Sequence, residues 1–497
     1  MADHLEVAQL YVDGKFVDGR APAFAVEDPA TAEEFAHCPA ASPDQFDEAV
    51  AAARRSFDAG VWASVPVPER VKVLAAMADE LDGMRDDLLR TVVRETGTPV
   101  RIAGLMQVDM ALEQARQLPA LLATLPEWEH NELPLEAHIA GPTGRDVLTS
   151  VRRYEPCGVV AAITPYNFPL QPAVWKVFAA LAAGCSVILR PSPLTPLSVL
   201  AFGVAADRAG LPPGVLAVVP EPGAEGAELL TSDPRVDCVS FTGSTAVGRR
   251  IAAQAAPTVK RLVLELGGKS VQLYLPDAVR NVAAGVGTVF ASHAGQACSA
   301  QSRVLVPADA LDAAVEQACA VARAMPVGDP QDPATVVGPL ISAAQHDRVT
   351  GLVDDAVRAG ARLAAGGRRP AHLPRGHYLE PTVLVVDDNA NPIAQQEAFG
   401  PVVSIHGYRD LDEAVAIAND SQYGLSGGVY SADVRAGLDV ARRIRSGTVL
   451  VNRPSANAYT PMGGIKQSGI GRERGVAGLR EYQEIQHLVL GPLDSAG

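Results

Sequence analysis

The chain has 497 residues, of which 48% are hydrophobic and 20% charged, and its net charge is −15. This length exceeds what a single hydrophobic core serves, so two or more domains are expected. The acidic balance, with no run of Lys or Arg, argues against a nucleic-acid partner. The most apolar stretch, Ala173 to Leu189, is broken by Lys176 and Gly184, which argues against a membrane span. Six cysteines at 38, 157, 185, 238, 298 and 319 are scattered without a Cys-x-x-Cys pair. They fit a reducing compartment, neither a disulfide frame nor a metal site, and cytoplasmic localisation is expected. No secretory pattern is visible in Met-Ala-Asp-His-Leu-Glu.

Taken in order, the chain opens with a hairpin signal. Asp13-Gly14 separates Gln9–Val12 from Lys15–Val17. Ser42, Pro43 and Gln45 form a helix start, with a cap, a first-turn proline and a partner three residues on. Helical patterns follow over Pro68–Met84, Asp86–Thr96 and Arg101–Leu118, and are expected to be surface helices with structural roles. Residues 126–155 change character through Pro126, Pro134, Gly141, Pro142 and Gly144. Val147–Tyr154 then alternates as an extended strand, which suits an arm that pairs with another chain; a plain surface hairpin is the alternative. From Gly158 to Leu266 strands alternate with helices, ending at Arg261–Leu266. That spacing implies βαβ units and a parallel sheet with ligands at the carboxyl ends of its strands. A less regular alternation over 267–430 reads as a second α/β domain. The strand-like Ile485–Leu490 is expected to pair with the 147–154 arm of a partner subunit.

Four strand ends carry polar groups. In Thr164-Pro165-Tyr166-Asn167-Phe168-Pro169 two prolines hold Asn167, and a fixed amide suits oxyanion stabilisation. Arg190, with Ser192 after it, ends the next strand and is a candidate cation for a dinucleotide ribose or phosphate. Gly243, Ser244 and Gly248 join a strand to a helix start, a phosphate-binding arrangement without the middle glycine of Gly-x-Gly-x-x-Gly. Glu265, beside Leu266 and Gly267, is a carboxylate among apolar residues and a candidate general base with a raised pKa. Each has a plainer reading: a turn amide, an exposed arginine, a capped turn, a glutamate paired with Lys269. Cys298 lies among Ala297, Ser299 and Ala300, small neighbours that leave a thiol reachable, although a lone cysteine is more often a buried apolar residue. Together the set supplies a nucleophile, a base, an oxyanion donor and a dinucleotide site, the parts needed to oxidise an aldehyde.

The sequence resembles the aldehyde dehydrogenase superfamily over nearly its whole length. The matching stretches are Pro165-Tyr-Asn-Phe-Pro169, Phe241-Thr-Gly-Ser244, Glu265-Leu-Gly-Gly-Lys269, Gly295-Gln-Ala-Cys298, Glu397-Ala-Phe-Gly-Pro401 and Pro461-Met-Gly-Gly-Ile-Lys-Gln-Ser-Gly469. The resemblance implies a Rossmann-like cofactor domain (1–125 and 156–264), an α/β catalytic domain (265–435), a return to the cofactor and tunnel region (436–478) and a small β oligomerisation arm (126–155 and 479–497). It implies aldehyde oxidation to the acid with NAD, or NADP, as hydride acceptor. Cys298 is then the nucleophile, passing through a thiohemiacetal and a thioester, with Asn167 and the Cys298 N–H as oxyanion hole and Glu265 as base. Lys176 and Glu473 match proton-relay or supporting positions. Glu397 matches the nicotinamide-ribose carboxylate, with Phe399 beside it, and Thr164, Pro165, Arg190, Ser192, Gly243, Ser244, Gly248, Leu266 and Gly267 complete the cofactor set. Gln171, Trp175, Ala297, Ser299, Arg453 and Met462 are expected to shape the pocket; Arg453 hints at an anionic substrate, although an exposed or structural arginine is the plainer reading. Arg190 replaces the usual lysine, Pro193 stands where many NAD-preferring members have glutamate, and Met462 replaces an aromatic residue. A homodimer or homotetramer is expected. The alternatives are a CoA-acylating semialdehyde dehydrogenase, against which Glu265 speaks, and a catalytically silent NAD-binding or structural member of the fold.

Overall fold

The computed structural model describes residues 9–132, 139–140, 146–147, 149–453 and 459–490. The first hairpin forms as its turn chemistry demands. Asp13 and Gly14 take φ of 51° and 71°, the left-handed pair that matches strand twist, and Leu10 faces Val17 across it. Ser42 caps the helix Pro43–Asp58 and Gln45 reaches back to it.

Eight strands form the first sheet, in the order Lys15–Val17, Leu10–Val12, Leu216–Val218, Ser186–Arg190, Val159–Ile163, Cys238–Thr242, Arg261–Glu265, Gly469–Ile470. The five inner strands, from Leu216–Val218 to Arg261–Glu265, are parallel. The chain winds from Val159–Ile163 outward to one side and then to the other. The crevice between Val159–Ile163 and Cys238–Thr242 is therefore the topological switch point, where ligands bind in such sheets. A second sheet of seven strands has the order Arg362–Ala365, Thr382–Val385, Val402–Tyr408, Arg303–Pro307, Val271–Tyr274, Ser426–Tyr430, Thr448–Val451. All its pairings are parallel except that of the edge strand Arg362–Ala365.

The helix Leu170–Ala183 is buried along its whole length. It is apolar all round because it lies in the core between the first sheet and an outer layer, Val67–Gly83 and Met110–Leu122. These are the expected surface helices, with one face buried against the core. Leu74, Met77, Leu81, Leu88, Val92 and Leu112 are buried, and this layer also contacts the site residues described below.

Two expectations change. The strand Gln483–Leu490 pairs antiparallel with Thr149–Pro156 of the same chain, not of a partner, with Ile485 opposite Tyr154. Trp128–His130 completes that three-stranded sheet. The chain also does not return to the first sheet at 436. Thr448–Val451 still belongs to the second sheet, and the crossing comes at Gly469–Ile470, which pairs with Leu264 and Glu265. The remainder of the expected arm, residues 133–138, 141–145, 148 and 491–497, lies outside the described residues. Among the described residues no helix is long and apolar enough to cross a membrane.

Candidate active site

Cys298 is presented by a tightly pinned loop. The helix Val282–Ala291 stops, and His293, Ala294 and Gly295 take φ of 50°, 51° and 73°. Three left-handed residues in succession are costly unless neighbours hold them. His293 Nδ1 lies 2.7 Å from Thr98 Oγ1. Gly295 cannot carry a side chain, since a Cβ there would sit 2.0 Å from the Gly400 carbonyl oxygen. Gln296 is fully buried. Its Oε1 accepts from Ile341 N at 3.0 Å, and its Nε2 donates to the His293 and Pro339 carbonyls at 3.2 and 3.4 Å. Sequence reasoning gave Gln296 no role. A glutamine beside a candidate nucleophile was the available signal. Cys298 and Ala297 are half-buried and Ser299 is exposed, so the thiol is reachable.

Asn167 lies against this loop, 5% exposed, and its Nδ2 donates to the Gln296 carbonyl at 2.8 Å. One amide hydrogen is thus spent on holding the side chain, and the second is free for another acceptor. The Cys298 N–H enters no backbone hydrogen bond among the described residues. Two donors are therefore available beside the sulfur.

Glu265 ends its strand 3% exposed, and neither carboxylate oxygen has a partner. The plainer reading, a pair with Lys269, fails: the Lys269 Nζ is itself buried without a partner. Burial, then the charge of Glu473, push the Glu265 pKa well above the ordinary carboxylate value, against the pull of Lys176, Arg472 and Arg474. Lys176 and Glu473 form a fully buried ion pair at 2.5 Å. Lys176 Nζ also donates to Ser240 Oγ at 3.1 Å, and Ser240 Oγ lies 2.8 Å from the Tyr482 hydroxyl. Burial, followed by the charges of Glu265, Glu397 and Glu473, raises the Cys298 thiol to about 12. At neutral pH the thiol rests protonated, so its attack needs a group that takes the proton.

The four strand ends do converge. Thr164 Oγ1 and Thr242 Oγ1 are buried without partners. Ser244 caps the helix Thr245–Ala255 by accepting from Val247 N at 3.4 Å, and both residues are exposed. The exposed helix start presents N–H groups to an anion. Gly243, Gly248 and Gly267 keep the crevice open for close approach. A Cβ at Gly248 would meet Leu266 at 2.6 Å, and one at Gly267 would meet Glu397 at 2.3 Å. Glu397 Oε1 accepts from Gly268 N at 2.9 Å, leaving its second oxygen for hydroxyl donors. Its pKa is raised to about 7 by burial, against Gly268, Arg348 and Lys269. Phe399, at φ 55°, stacks edge-on with Tyr166 at 5.8 Å. Arg348 and Gln345, which sequence reasoning missed, clamp this segment by donating to the carbonyls of Glu397, Ala398 and Phe399. Ser468 joins the two sheets, donating to the Gly267 carbonyl at 2.7 Å and accepting from Gly424 N at 3.0 Å. Leu266 N donates to the Ser468 carbonyl at 3.0 Å. These orphaned hydroxyls, glycine clearances and exposed N–H groups fit a dinucleotide.

Arg190 is corrected. It is 7% exposed, with Nε on Glu221 at 3.0 Å and a second nitrogen on the Gly223 carbonyl. Its guanidinium fork fits that turn, so it braces the crevice and does not stand as a free cation. Its carbonyl accepts from Thr164 N at 3.1 Å. Ser192 Oγ accepts from Leu194 N at 3.3 Å, while Pro165 and Pro193 are half-buried beside it.

Of the expected pocket residues, Gln171 donates to the Met106 carbonyl and Trp175 to Gln114 Oε1. Both partners come from the 103–122 layer. Met462 is half-buried and bridges Glu473 through paired backbone hydrogen bonds of 2.8 and 2.7 Å. Arg453 follows its plainer reading. It is exposed, and its carbonyl accepts from the Tyr430 hydroxyl at 3.3 Å. Arg474, not Arg453, shares a cavity with Trp175.

The aldehyde dehydrogenase family model matches residues 16–488. A geranial dehydrogenase of Castellaniella defragrans is 38% identical over 93% of this chain and 94% of its own. A Mycobacterium tuberculosis aldehyde dehydrogenase, solved with NAD+, superposes with a TM-score of 0.92 at 38% identity, covering 99% of this chain and 100% of the other. A mutant aldehyde dehydrogenase of Pseudomonas syringae, solved with NAD+ and octanal, gives 0.91 at 38% identity, covering 98% of both. The thiol loop, the parallel-sheet crevice and the full-length match lead to one assignment: the chain belongs to the aldehyde dehydrogenase family.

Proposed function

We propose that this protein oxidises an aldehyde to its carboxylic acid by covalent catalysis at Cys298, with NAD+ or NADP+ as hydride acceptor. The observation that carries this reading is the meeting of Cys298, Asn167 and Glu265 at one crevice mouth, with both Glu265 oxygens unpaired. The sulfur attacks the carbonyl carbon, and its proton leaves toward Glu265. The Asn167 amide and Cys298 N–H hold the oxygen as it gains charge. Bound in the crevice, the nicotinamide supplies the acceptor for the hydride, and the carbonyl re-forms as a thioester on Cys298. Glu265 releases that first proton toward the Lys176–Glu473 pair and then takes a proton from water, which attacks the thioester; the sulfur–carbon bond breaks, the acid leaves, and the sulfur recovers its proton from Glu265. Lys176 offsets the charge on Glu265, and its pair with Glu473 offers a buried relay toward Ser240 and Tyr482.

Thr164, Pro165, Ser192, Gly243, Ser244, Gly248, Leu266 and Gly267 would line the dinucleotide, with Glu397 taking ribose hydroxyls and Phe399 packing beside it. Arg190 acts through Glu221. Pro193 brings no carboxylate to repel a 2′-phosphate, so both cofactors are admitted. An intact Glu265 favours hydrolysis over CoA transfer. The relatives solved with NAD+ and octanal support this assignment. Exposed Trp128, Ile485 and Val489 on the three-stranded sheet support a homodimer or homotetramer, and the free thiols a cytoplasmic setting.

The test is an aldehyde panel with NAD+ and NADP+ side by side. Reduced cofactor forming without CoA, with acid as product, is expected. Formation that requires CoA overturns the hydrolytic reading, and cofactor binding without reduction overturns catalysis.

A further inference from the structure

A cavity of about 130 Å³ opens between the 110–122 helix and the segment after Glu473, with Gln114, Leu118, Leu121, Trp175, Tyr459 and Arg474 among its walls. Its wall is apolar and aromatic apart from a few polar groups, and two of these are donors without acceptors. Gln114 is 3% exposed. The Trp175 indole N–H can only donate, so the oxygen of the Gln114 amide must face it. That fixes the amide, and its Nε2 is left buried without a partner. Arg474 Nε is also buried and unpaired. Its guanidinium lies over the Trp175 ring, 5.2 Å from the centroid, and its backbone is held at φ 67°. Arg474 forms no ion pair among the described residues, although Glu473 next to it is paired with Lys176. Among the described residues no other charged side chain lines the cavity. Glu113, at the exposed rim, accepts from Gln117 and Tyr459.

An unpaired buried donor costs about 1–3 kcal/mol, so two around one cavity point to an occupant that brings acceptor oxygens. A guanidinium fork and an amide N–H match a carboxylate. Arg474 follows Glu473 in the chain and lies within electrostatic reach of Cys298 and Glu265 when these are ionised.

We infer that Arg474, with Gln114 Nε2, is a substrate-carboxylate site that selects aldehydes carrying a second, anionic end: short semialdehydes whose methylenes lie along Trp175, Leu118 and Leu121. This rests on the dehydrogenase reading above and names its substrate class.

The test compares matched pairs, succinate semialdehyde against butanal and glutarate semialdehyde against pentanal, in wild type, Arg474→Gln, Arg474→Lys and Gln114→Glu. The wild type is expected to favour the carboxylate member through a lower KM. Arg474→Gln lowers the kcat/KM ratio about tenfold to a hundredfold, the worth of a hydrogen bond to a charged group. Arg474→Lys recovers part of it. Gln114→Glu keeps an acceptor for Trp175 but removes the donor and adds a repelling charge, and lowers the ratio as well. A ratio unmoved by these variants overturns the inference and leaves the dehydrogenase standing. A parallel titration measures succinate against butyrate binding by calorimetry. Should no aldehyde be oxidised, the dehydrogenase reading falls, and succinate binding lost in Arg474→Gln still supports the site. Succinate binding equally well to wild type and Arg474→Gln overturns it.

Discussion

The Cys298 loop and the Trp175 cavity are built on opposite plans. In the loop, the groups that set the geometry are tied down: Gln296 bonds through both ends of its amide, Asn167 is anchored on the Gln296 carbonyl, and His293 meets Thr98. In the cavity, Gln114 Nε2 and Arg474 Nε have no acceptor. Chemistry common to every substrate needs a preorganised frame, because a displaced donor does not stabilise the charge that develops. Discrimination between substrates needs groups that become satisfied only when the right ligand arrives. Damage to the loop should therefore lower turnover of every aldehyde alike, whereas changes in the cavity should alter ratios between aldehydes.

The largest effect expected from the loop is that of Cys298→Ala. Turnover should fall by at least about four orders of magnitude with every aldehyde, as for loss of a catalytic nucleophile, while NAD+ affinity by calorimetry changes little. Retained dehydrogenase activity would remove Cys298 from the mechanism. Next is Asn167→Ala, which takes away both the oxyanion donor and the anchor on Gln296. A uniform fall of about 10²–10³-fold in kcat is expected. A fall confined to one class of aldehyde would break the distinction between loop and cavity.

The smallest effect is a shift in titration. The Cys298 thiol is raised to about 12 by burial and by the charge of Glu265, among others. Thiolate is the reactive form, so the rate of alkylation by iodoacetamide should climb as pH rises into the alkaline range. Glu265→Gln removes one negative neighbour, which lowers the thiol pKa and moves that climb to lower pH. The same variant should slow acid release more than the first burst of reduced cofactor. A climb that stays in place or moves to higher pH would show that Glu265 does not face the sulfur.

Much of the frame was legible in local sequence. The Asp13-Gly14 turn, the Ser42–Gln45 cap and the alternation from 158 to 266 are patterns set by neighbours in the chain, and they appear at or near the expected positions. The chemical groups were legible too, because Asn167, Glu265 and Cys298 each sit in a short motif. The partners that hold them were not. Gln296 reaches Pro339 and Ile341, Arg348 reaches Glu397, and Ser468 reaches Gly267, contacts that span from 43 residues to 201. No local period encodes such distances.

The corrections have the same origin. Arg190 was read as an available cation and Arg453 only as a hint of one, since a guanidinium in sequence shows its charge but not its partner. The fold gives Arg190 to Glu221 and leaves Arg453 exposed, and it brings Arg474 over Trp175, 299 positions away. The C-terminal strand carried an unmistakable strand pattern, yet whether it pairs within its own chain depended on where the 149–156 strand lies. The sequence by itself determined the elements, the sheet type and the reactive groups, because propensity, turn chemistry and side-chain identity are local properties. Tertiary structure alone decided which buried charges are paired and which donors remain open, because burial and hydrogen bonding depend on residues that only folding brings together.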